Sequence, residues 1–154
     1  TSDIILAAVK TNATTHKLIA FRLEDGKIKW SFNRDVLSFS FSSEVSSTNE
    51  YTLISGSLIS PLKVKRNILA QIDNQTGEIN WEVPLEQEIQ RPIITPSTIY
   101  AVKKDQRDLL MVDALSGEVI PQNSFFPVDS FIVFNNNLII FYISADLLRI
   151  TSFG

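Results

Sequence analysis

The stretch Leu18-Ile-Ala-Phe-Arg-Leu-Glu-Asp-Gly-Lys-Ile-Lys-Trp30 decides the fold of this chain, because two later stretches repeat it. The repeats are Leu69-Ala-Gln-Ile-Asp-Asn-Gln-Thr-Gly-Glu-Ile-Asn-Trp81 and the shorter Leu110-Met-Val-Asp-Ala-Leu-Ser-Gly-Glu-Val119. Each places an apolar run before a Gly turn, and after the turn apolar residues alternate with polar ones. Alternation with period two is typical of half-buried strands, and Gly accepts the positive φ of a tight turn. We therefore predict an array of β-hairpins.

Composition is that of an ordinary globular domain. The chain has 154 residues, 44% of them hydrophobic and 20% charged, with a formal net charge of −3. The charges are scattered, so no basic surface for nucleic acid or an anionic membrane is expected. The chain has no Cys, which removes thiol catalysis, disulfides and thiolate metal sites. The longest apolar run, Leu138 to Ile143, is far shorter than the ~20 residues of a spanning helix.

Short β-rich runs fill the rest of the chain and give about fourteen candidate strands, including one from Glu118 to Gln122. Gly77 and Gly117 lie about 40 residues apart, and a repeat of this length with four strands is typical of β-propeller blades. The longer first interval indicates an insertion. Its residues are expected in two surface loops, Ser42 to Asn49 and Ser60 to Lys65. A protein partner is expected first at the loops Ser42 to Asn49 and Ser57 to Lys65.

These residues resemble the PQQ-like, or quinoprotein-type, β-propeller repeat, whose blade carries the pattern Ala-x-Asp-x-x-x-Gly-x-x-x-Trp. Ala70, Asp73, Gly77 and Trp81 follow the pattern, with Ala70 one residue further from the Asp. The first repeat departs from it, with a turn that we interpret as one residue shorter and without an Asp. The third repeat has Pro121 where the Trp would stand.

The resemblance implies an all-β fold of antiparallel four-stranded blades. We expect one propeller segment over residues 1–154, with blades at about 1–33 (partial), 34–84, 85–123 and 124–154 (partial). About three and a half blades are fewer than the seven or eight that usually close a ring, and a half ring exposes sheet edges and an apolar inter-blade face. We therefore expect either a fragment of a larger propeller or a ring completed by a partner, which a homodimer could supply.

Packing explains the repeated residues without any chemistry. Gly permits the hairpin, Asp accepts hydrogen bonds from backbone N–H groups of the turn, and a Trp fills the wedge between neighbouring blades. For Trp30 and Trp81 we favour this inter-blade role over that of a platform on which a ligand stacks.

Residues that could carry catalysis are few. His16 is the only histidine and is expected to be solvated on a polar hairpin tip, which excludes a multi-His metal site. The carboxylates of Glu82, Glu86, Glu88, Asp105 and Asp108 have no spacing that forces two of them together, as glycoside hydrolysis requires. The turn from Asp73 to Glu78 has oxygen ligands in close succession, but it lacks the further acidic positions of a calcium loop.

The quinone chemistry of the family is not carried over. Its dehydrogenases use an adjacent Cys pair, calcium ligands and a Trp floor at the ring centre, and this chain has no Cys. We therefore predict no catalytic, cofactor-binding or metal residue and no cofactor. Two glycosylation sequons, at Asn12 and Asn74, fall on predicted turns where a glycan could be tolerated.

Function is thus expected to be that of a non-catalytic propeller scaffold that binds proteins, or itself, through loops and open sheet edges. Non-catalytic members of the family include the lipoprotein of the bacterial outer-membrane barrel-assembly machine and luminal domains of eukaryotic proteins. The resemblance therefore favours an extracytoplasmic or luminal assembly, while the residues leave the location open. The alternatives are a fragment of a quinoprotein-type enzyme that binds a cofactor or ligand, and one structural arc of a larger ring.

Overall fold

A computed structural model describes residues 3–12, 16–32, 36–39, 50–59, 64–104, 107–121, 128–135, 137–144 and 147–153. The chain divides into two compact units, Thr1–Glu88 and Ile89–Gly154. Unit 1 contains the strands β1 (Ile4–Lys10), β2 (His16–Arg22), β3 (Ile28–Ser31), β4 (Val36–Phe39), β5 (Tyr51–Ile59), β6 (Lys65–Asp73) and β7 (Ile79–Leu85). Unit 2 contains β8 (Ile89–Ile94), β9 (Thr98–Lys103), β10 (Leu109–Asp113), β11 (Ser130–Phe134), β12 (Asn137–Ser144) and β13 (Leu147–Phe153).

Every strand pairing is antiparallel. In unit 1, β1, β2 and β3 form one meander and β4 to β7 form a second. Among the described residues, the pairing of His16 with Val36 links the two into one seven-stranded sheet. In unit 2, β8–β9–β10 and β11–β12–β13 are separate three-stranded sheets. The meander β4–β7 has the four antiparallel strands of a propeller blade, and the other meanders have three described strands each, as partial blades would. The predicted all-β class is confirmed, whereas the single propeller segment and the blade boundaries stay a prediction.

The core of unit 1 lies between its two meanders. Alternate residues of β2 and β3 point to one side, and Leu18, Ala20 and Trp30 pack there against apolar residues of β5 and β6. The residues that the second meander contributes to this core are Ile54, Ile68, Ala70 and Ile72. Ile4 and Leu6 of β1 cover the margin of this core.

The core of unit 2 also lies between two sheets. Val102 and Leu109, from one three-stranded sheet, pack against Phe131, Leu138 and Ile140 of β11 and β12. The rings of Tyr100 and Phe131 add a tilted aromatic contact with centroids 6.5 Å apart. Arg107 Nη1 donates to Asp129 Oδ1 at 2.7 Å, and the other oxygen of Asp129 accepts from the backbone N–H of Ile143. Neighbouring meanders in each unit are therefore joined face to face.

One predicted strand is wrong in the part that the structure describes. Residues from Glu118 onward make only an isolated bridge, between Val119 and Val112 of β10. Ile120 still donates to Met111 O, but Pro121 follows and has no N–H with which to continue the ladder. Gln122 lies outside the described residues.

The predicted loop from Ser57 to Lys65 is also wrong in its extent. Ser57 belongs to β5 and Lys65 to β6, and Ser57 pairs with Asn67 within one long hairpin. Ser57 is buried and donates from its hydroxyl to Asn67 Oδ1 at 2.8 Å. Residues 60–63, which include Lys63, lie outside the described residues, as does the other predicted loop, Ser42 to Asn49.

Candidate functional site

The repeated hairpin turns have one backbone geometry. Gly26, Gly77 and Gly117 have positive φ of 68°, 77° and 76°. Each donates its N–H to the carbonyl four residues earlier, on Arg22, Asp73 and Asp113 respectively. The three turns therefore have equal length, and the expected shortening of the first is wrong. Arg22 occupies the position of the two aspartates.

Asp73 and Asp113 fix their turns with the same set of hydrogen bonds. Asp73 Oδ1 accepts from the backbone N–H groups of Gln75 and Thr76 at 2.7 and 2.8 Å and from the Thr76 hydroxyl. Asp113 accepts from Leu115 and Ser116 in the same way. Hydrogen bonds to the ionised form, above all from the backbone N–H groups of Thr76 and Ser116, lower the pKa of both carboxyls.

The first turn reaches the same shape with other side chains. Asp25 takes the place of Thr76, and its Oδ1 accepts from Lys27 N at 3.0 Å as the Thr76 hydroxyl accepts from Glu78 N. Arg22 forms an ion pair with Asp25 at 3.0 Å, where Asp73 instead accepts from Thr76. The backbone turn is thus the same in all three repeats, whereas the side chain that supplies the acceptor oxygen differs in the first repeat.

Trp30 joins the two meanders of unit 1. Its side chain is 7% exposed, and its Nε1 donates to the carbonyl of Asn74 in the turn of the second meander at 3.1 Å. A Cβ at Gly77 would lie only 2.6 Å from Trp30 Cγ. The packing role predicted for Trp30 therefore agrees with its contacts. Trp81, at the equivalent position on β7, is half-buried.

His16 is not on a solvated tip, contrary to expectation. It opens β2, where it pairs with Lys10, and its Nδ1 is buried with no hydrogen-bond partner among the described residues.

The candidate carboxylates do not converge. Glu82 and Glu88 form ion pairs with Arg66 and Lys65, at 2.6 and 3.5 Å. Glu86 is exposed and Asp108 is half-buried, while Asp105 lies outside the described residues. Within the described ranges no three His, Asp or Glu side chains are grouped as metal ligands. Asp73 Oδ1 already accepts three hydrogen bonds within its own turn.

The side chain of the Asn74 sequon is buried and hydrogen-bonded within the folded chain. Asn74 is 2% exposed, its Oδ1 accepts from the Thr52 hydroxyl at 2.6 Å, and its backbone N–H donates to Glu50 O. A glycan attached to this amide has no room in the folded chain, so the expected tolerance is wrong at this position. Asn12 is exposed.

The outer face of the sheet β11–β12–β13 is apolar and exposed. Residues directly opposite one another share a face, so the pairs Ile132 with Ile139, Phe141 with Ile150 and Ile143 with Leu148 all lie on the side away from the core. We call this surface the unit 2 apolar face. Its most exposed members, 46% to 64% exposed, are Ile132, Phe134, Ile143, Leu148 and Ile150.

The meander β1–β2–β3 of unit 1 has a similar outer face. Ile5 pairs with Phe21 and Phe21 with Ile28, on the side opposite Leu18 and Ala20. We call this surface the unit 1 apolar face; its exposed members are Ile5, Val9 and Ile28, between 39% and 58% exposed. In the described ranges β1 pairs only with β2, and β13 pairs only with β12. Strand addition at these edges stays a prediction.

The unit 2 apolar face has a signal in the sequence, the apolar run on β12. Leu138 to Ile143 is apolar at every position. A strand of this kind has apolar side chains on both faces, whereas a strand with one face in water alternates.

Comparison with known proteins gives a distant likeness among solved structures and no match in sequence. No family model and no curated protein matches the sequence. Among solved structures, the chain is similar to that titled "The crystal structure of BamB from Moraxella catarrhalis". The two share 15% sequence identity with a TM-score of 0.45, over 94% of this chain and 56% of that one. The chain thus spans little more than half of that protein. Membership of the PQQ-like family stays a prediction.

The described residues contain no helix long and apolar enough to cross a membrane.

Replacing Gly77 by Ala should destabilise the chain more than replacing Gly26. Both residues have positive φ, which costs an L-residue about 1–2 kcal/mol. At Gly26 a Cβ meets no atom within 4 Å, whereas at Gly77 it clashes with Trp30. We expect a loss of about 1–2 kcal/mol for Gly26→Ala and about 2–5 kcal/mol for Gly77→Ala, measured by urea denaturation. Equal losses would contradict the contact between Trp30 and the turn.

Acid should reduce the stabilisation that Asp73 and Asp113 give to their turns. Because their pKa values are lowered on folding, their stabilisation is present above the unfolded pKa of about 4 and is lost as the pH falls through the folded value. The free energy of unfolding of the double variant Asp73→Asn, Asp113→Asn should therefore fall less steeply below pH ~4 than that of the original chain. Glu24→Gln, at an exposed turn residue, is the control. Parallel curves for the double variant and the original chain would rule out this role of the two carboxylates.

Proposed function

We propose that this chain is a non-catalytic β-propeller scaffold that binds protein through exposed sheet faces, within a larger assembly. The observation that carries the proposal is the unit 2 apolar face. It presents Ile132, Phe134, Ile143, Leu148 and Ile150 on neighbouring strands of one sheet. Contiguous apolar patches of this kind mark interaction sites, because single surface hydrophobics are common but clustered ones are not.

The supporting structure behind this face is suited to a scaffold. The opposite side of the same sheet is anchored by Phe131, Leu138 and Ile140 in the core of unit 2. The link between Arg107 and Asp129 fixes the start of β11 to the turn after β9. The apolar side chains are therefore held on a strand framework rather than on a loop, which limits the conformational entropy lost on binding.

Several charged side chains of the described residues are engaged in local structure. Arg66, Lys65 and Arg107 form ion pairs with carboxylates of their own unit, and Asp73 and Asp113 hold their turns. The unit 2 apolar face itself offers a partner apolar surface to bury. The extracytoplasmic or luminal setting is proposed from the family resemblance alone.

Site-specific photo-crosslinking tests the proposal. A photoreactive residue at Ile150, in cells that express the chain, should give a discrete cross-linked protein, and the additional change Ile132→Asp should remove it. The control is the same probe at Leu115, an apolar residue 89% exposed on a turn outside the face. The same products from both positions, or none from Ile150, would contradict binding at this face.

Equilibrium dialysis tests the enzyme alternative. The chain should retain neither pyrroloquinoline quinone nor calcium when the two are supplied together. Saturable retention of the quinone would overturn the non-catalytic assignment.

A further inference from the structure

We propose that Asp25, in the turn between β2 and β3, is a site of spontaneous isoaspartate formation whose rate is controlled by Arg22. Asp25-Gly26 is the only Asp-Gly or Asn-Gly pair in the sequence. Such pairs are especially reactive, because a Gly has no side chain to hinder the approach of its backbone nitrogen to the preceding carboxyl. Residues 22–28 are exposed, so water reaches the whole turn.

The modification needs no molecule other than water. After the Asp25 carboxylate takes up a proton, the nitrogen of Gly26 bonds to Asp25 Cγ, the C–OH bond breaks, and the hydroxyl leaves as water with the proton of the N–H. The product is a succinimide ring. Water then adds to one of its two carbonyls. Opening at the main-chain carbonyl leaves a free α-carboxylate and routes the backbone through the side chain, with one extra methylene.

The reacting groups are held apart from this chemistry by contacts of the folded turn. Asp25 Oδ2 lies 3.0 Å from Arg22 Nη2 and 3.6 Å from Lys27 Nζ, and Asp25 Oδ1 accepts from Lys27 N at 3.0 Å. The N–H of Gly26 donates to Arg22 O at 3.0 Å. The side chain of Lys27 is 73% exposed and that of Arg22 46%, so the shorter Arg22 contact is also the better shielded one. Arg22 therefore restrains the carboxyl with its guanidinium and the nitrogen with its carbonyl.

The other repeats support the pairing of Arg22 with Asp25. In the second turn Thr76 stands in the position of Asp25, and its hydroxyl accepts from Glu78 N. A hydroxyl fills the same structural role but has no carbonyl carbon that the Gly nitrogen could attack. This turn begins with Asp73, and the third turn likewise combines an Asp with a hydroxyl residue. The one turn with a reactive pair is thus the one that begins with a cation.

Isoaspartate at this position disturbs the core of unit 1. The extra methylene lengthens the turn immediately before β3, which carries Trp30. Ala20 pairs with Trp30 across this hairpin, and Trp30 Nε1 donates to Asn74 O at 3.1 Å. Because close-packed side chains tolerate little displacement, we expect the modified chain to be less stable than the unmodified one.

Ageing of the purified, folded chain tests the proposal. Isoaspartate is measured after incubation at physiological temperature and pH, by methylation with protein isoaspartyl methyltransferase, and is located by peptide mass spectrometry. We expect slow formation at residue 25 in the original chain. Arg22→Gln should accelerate it about two- to fivefold, the factor that a partly exposed ion pair contributes. Lys27→Gln, which removes the longer contact and keeps the backbone donor, should have a smaller effect.

Asp25→Thr is the matched control, because it gives the first turn the residue of the second. It should remove isoaspartate from this turn and leave the circular dichroism spectrum unchanged. The original chain unfolded in urea should form isoaspartate faster than the folded chain. If Arg22→Gln does not fold, Arg22→Lys replaces it. This variant keeps the charge without the guanidinium contact, and a smaller acceleration is expected.

Three results overturn the inference. Absence of isoaspartate at residue 25 from both the folded original chain and the folded Arg22 variant would exclude the site. Formation in that variant at an equal or lower rate would exclude control by Arg22. Equal stability in urea of the modified and unmodified chains, separated by chromatography, would exclude the effect on Trp30. The scaffold function is tested separately by cross-linking at Ile150 and stands or fails independently of these results.

Discussion

The packing of Trp30 over the turn at Gly77 is the contact on which the architecture of unit 1 depends. The indole Nε1 of a buried Trp needs an acceptor, and Asn74 O supplies it. Asn74 can do so because its own N–H donates to Glu50 O and its side chain accepts from Thr52, which fixes the turn to β5. Only a residue without a Cβ lets the ring lie against this turn. One Gly therefore sets both the turn and the distance between two meanders.

Sequence predicts this turn better than it predicts its chemistry. The Gly positions mark all three turns, and each has the expected positive φ. The structural equivalence of Arg22 and Asp73 is not visible in the sequence. In the first turn the acceptor oxygen belongs to Asp25, which occupies the position of Thr76. The backbone N–H of the residue after the Gly needs a side-chain oxygen as its acceptor. A carboxylate oxygen or a hydroxyl oxygen can fill this role. Residue identity at one position is therefore a poorer guide than spacing from the Gly.

The strands themselves could be predicted from alternation, and the exception has a local cause. Pro121 stands where Trp30 and Trp81 stand in the other repeats, and a residue without an N–H cannot complete that ladder. The burial of individual polar side chains was harder to predict. His16 and Asn74 occur in polar sequence, yet a strand pairing and a hydrogen bond to Thr52 bury their polar atoms. Polar neighbours in sequence do not imply solvent when the tertiary contacts come from another strand.

The candidate site was hidden for a related reason. An apolar run such as Leu138 to Ile143 shows that both sides of a strand are apolar, but it does not show which side is covered. The core of unit 2 takes Leu138 and Ile140 on one side and leaves Ile143 exposed on the other. Since the covered and exposed sides have similar side chains, the same packing that joins sheets inside a unit can be used between molecules. Stacking of this kind needs no special binding motif, which is why the sequence carries none for it.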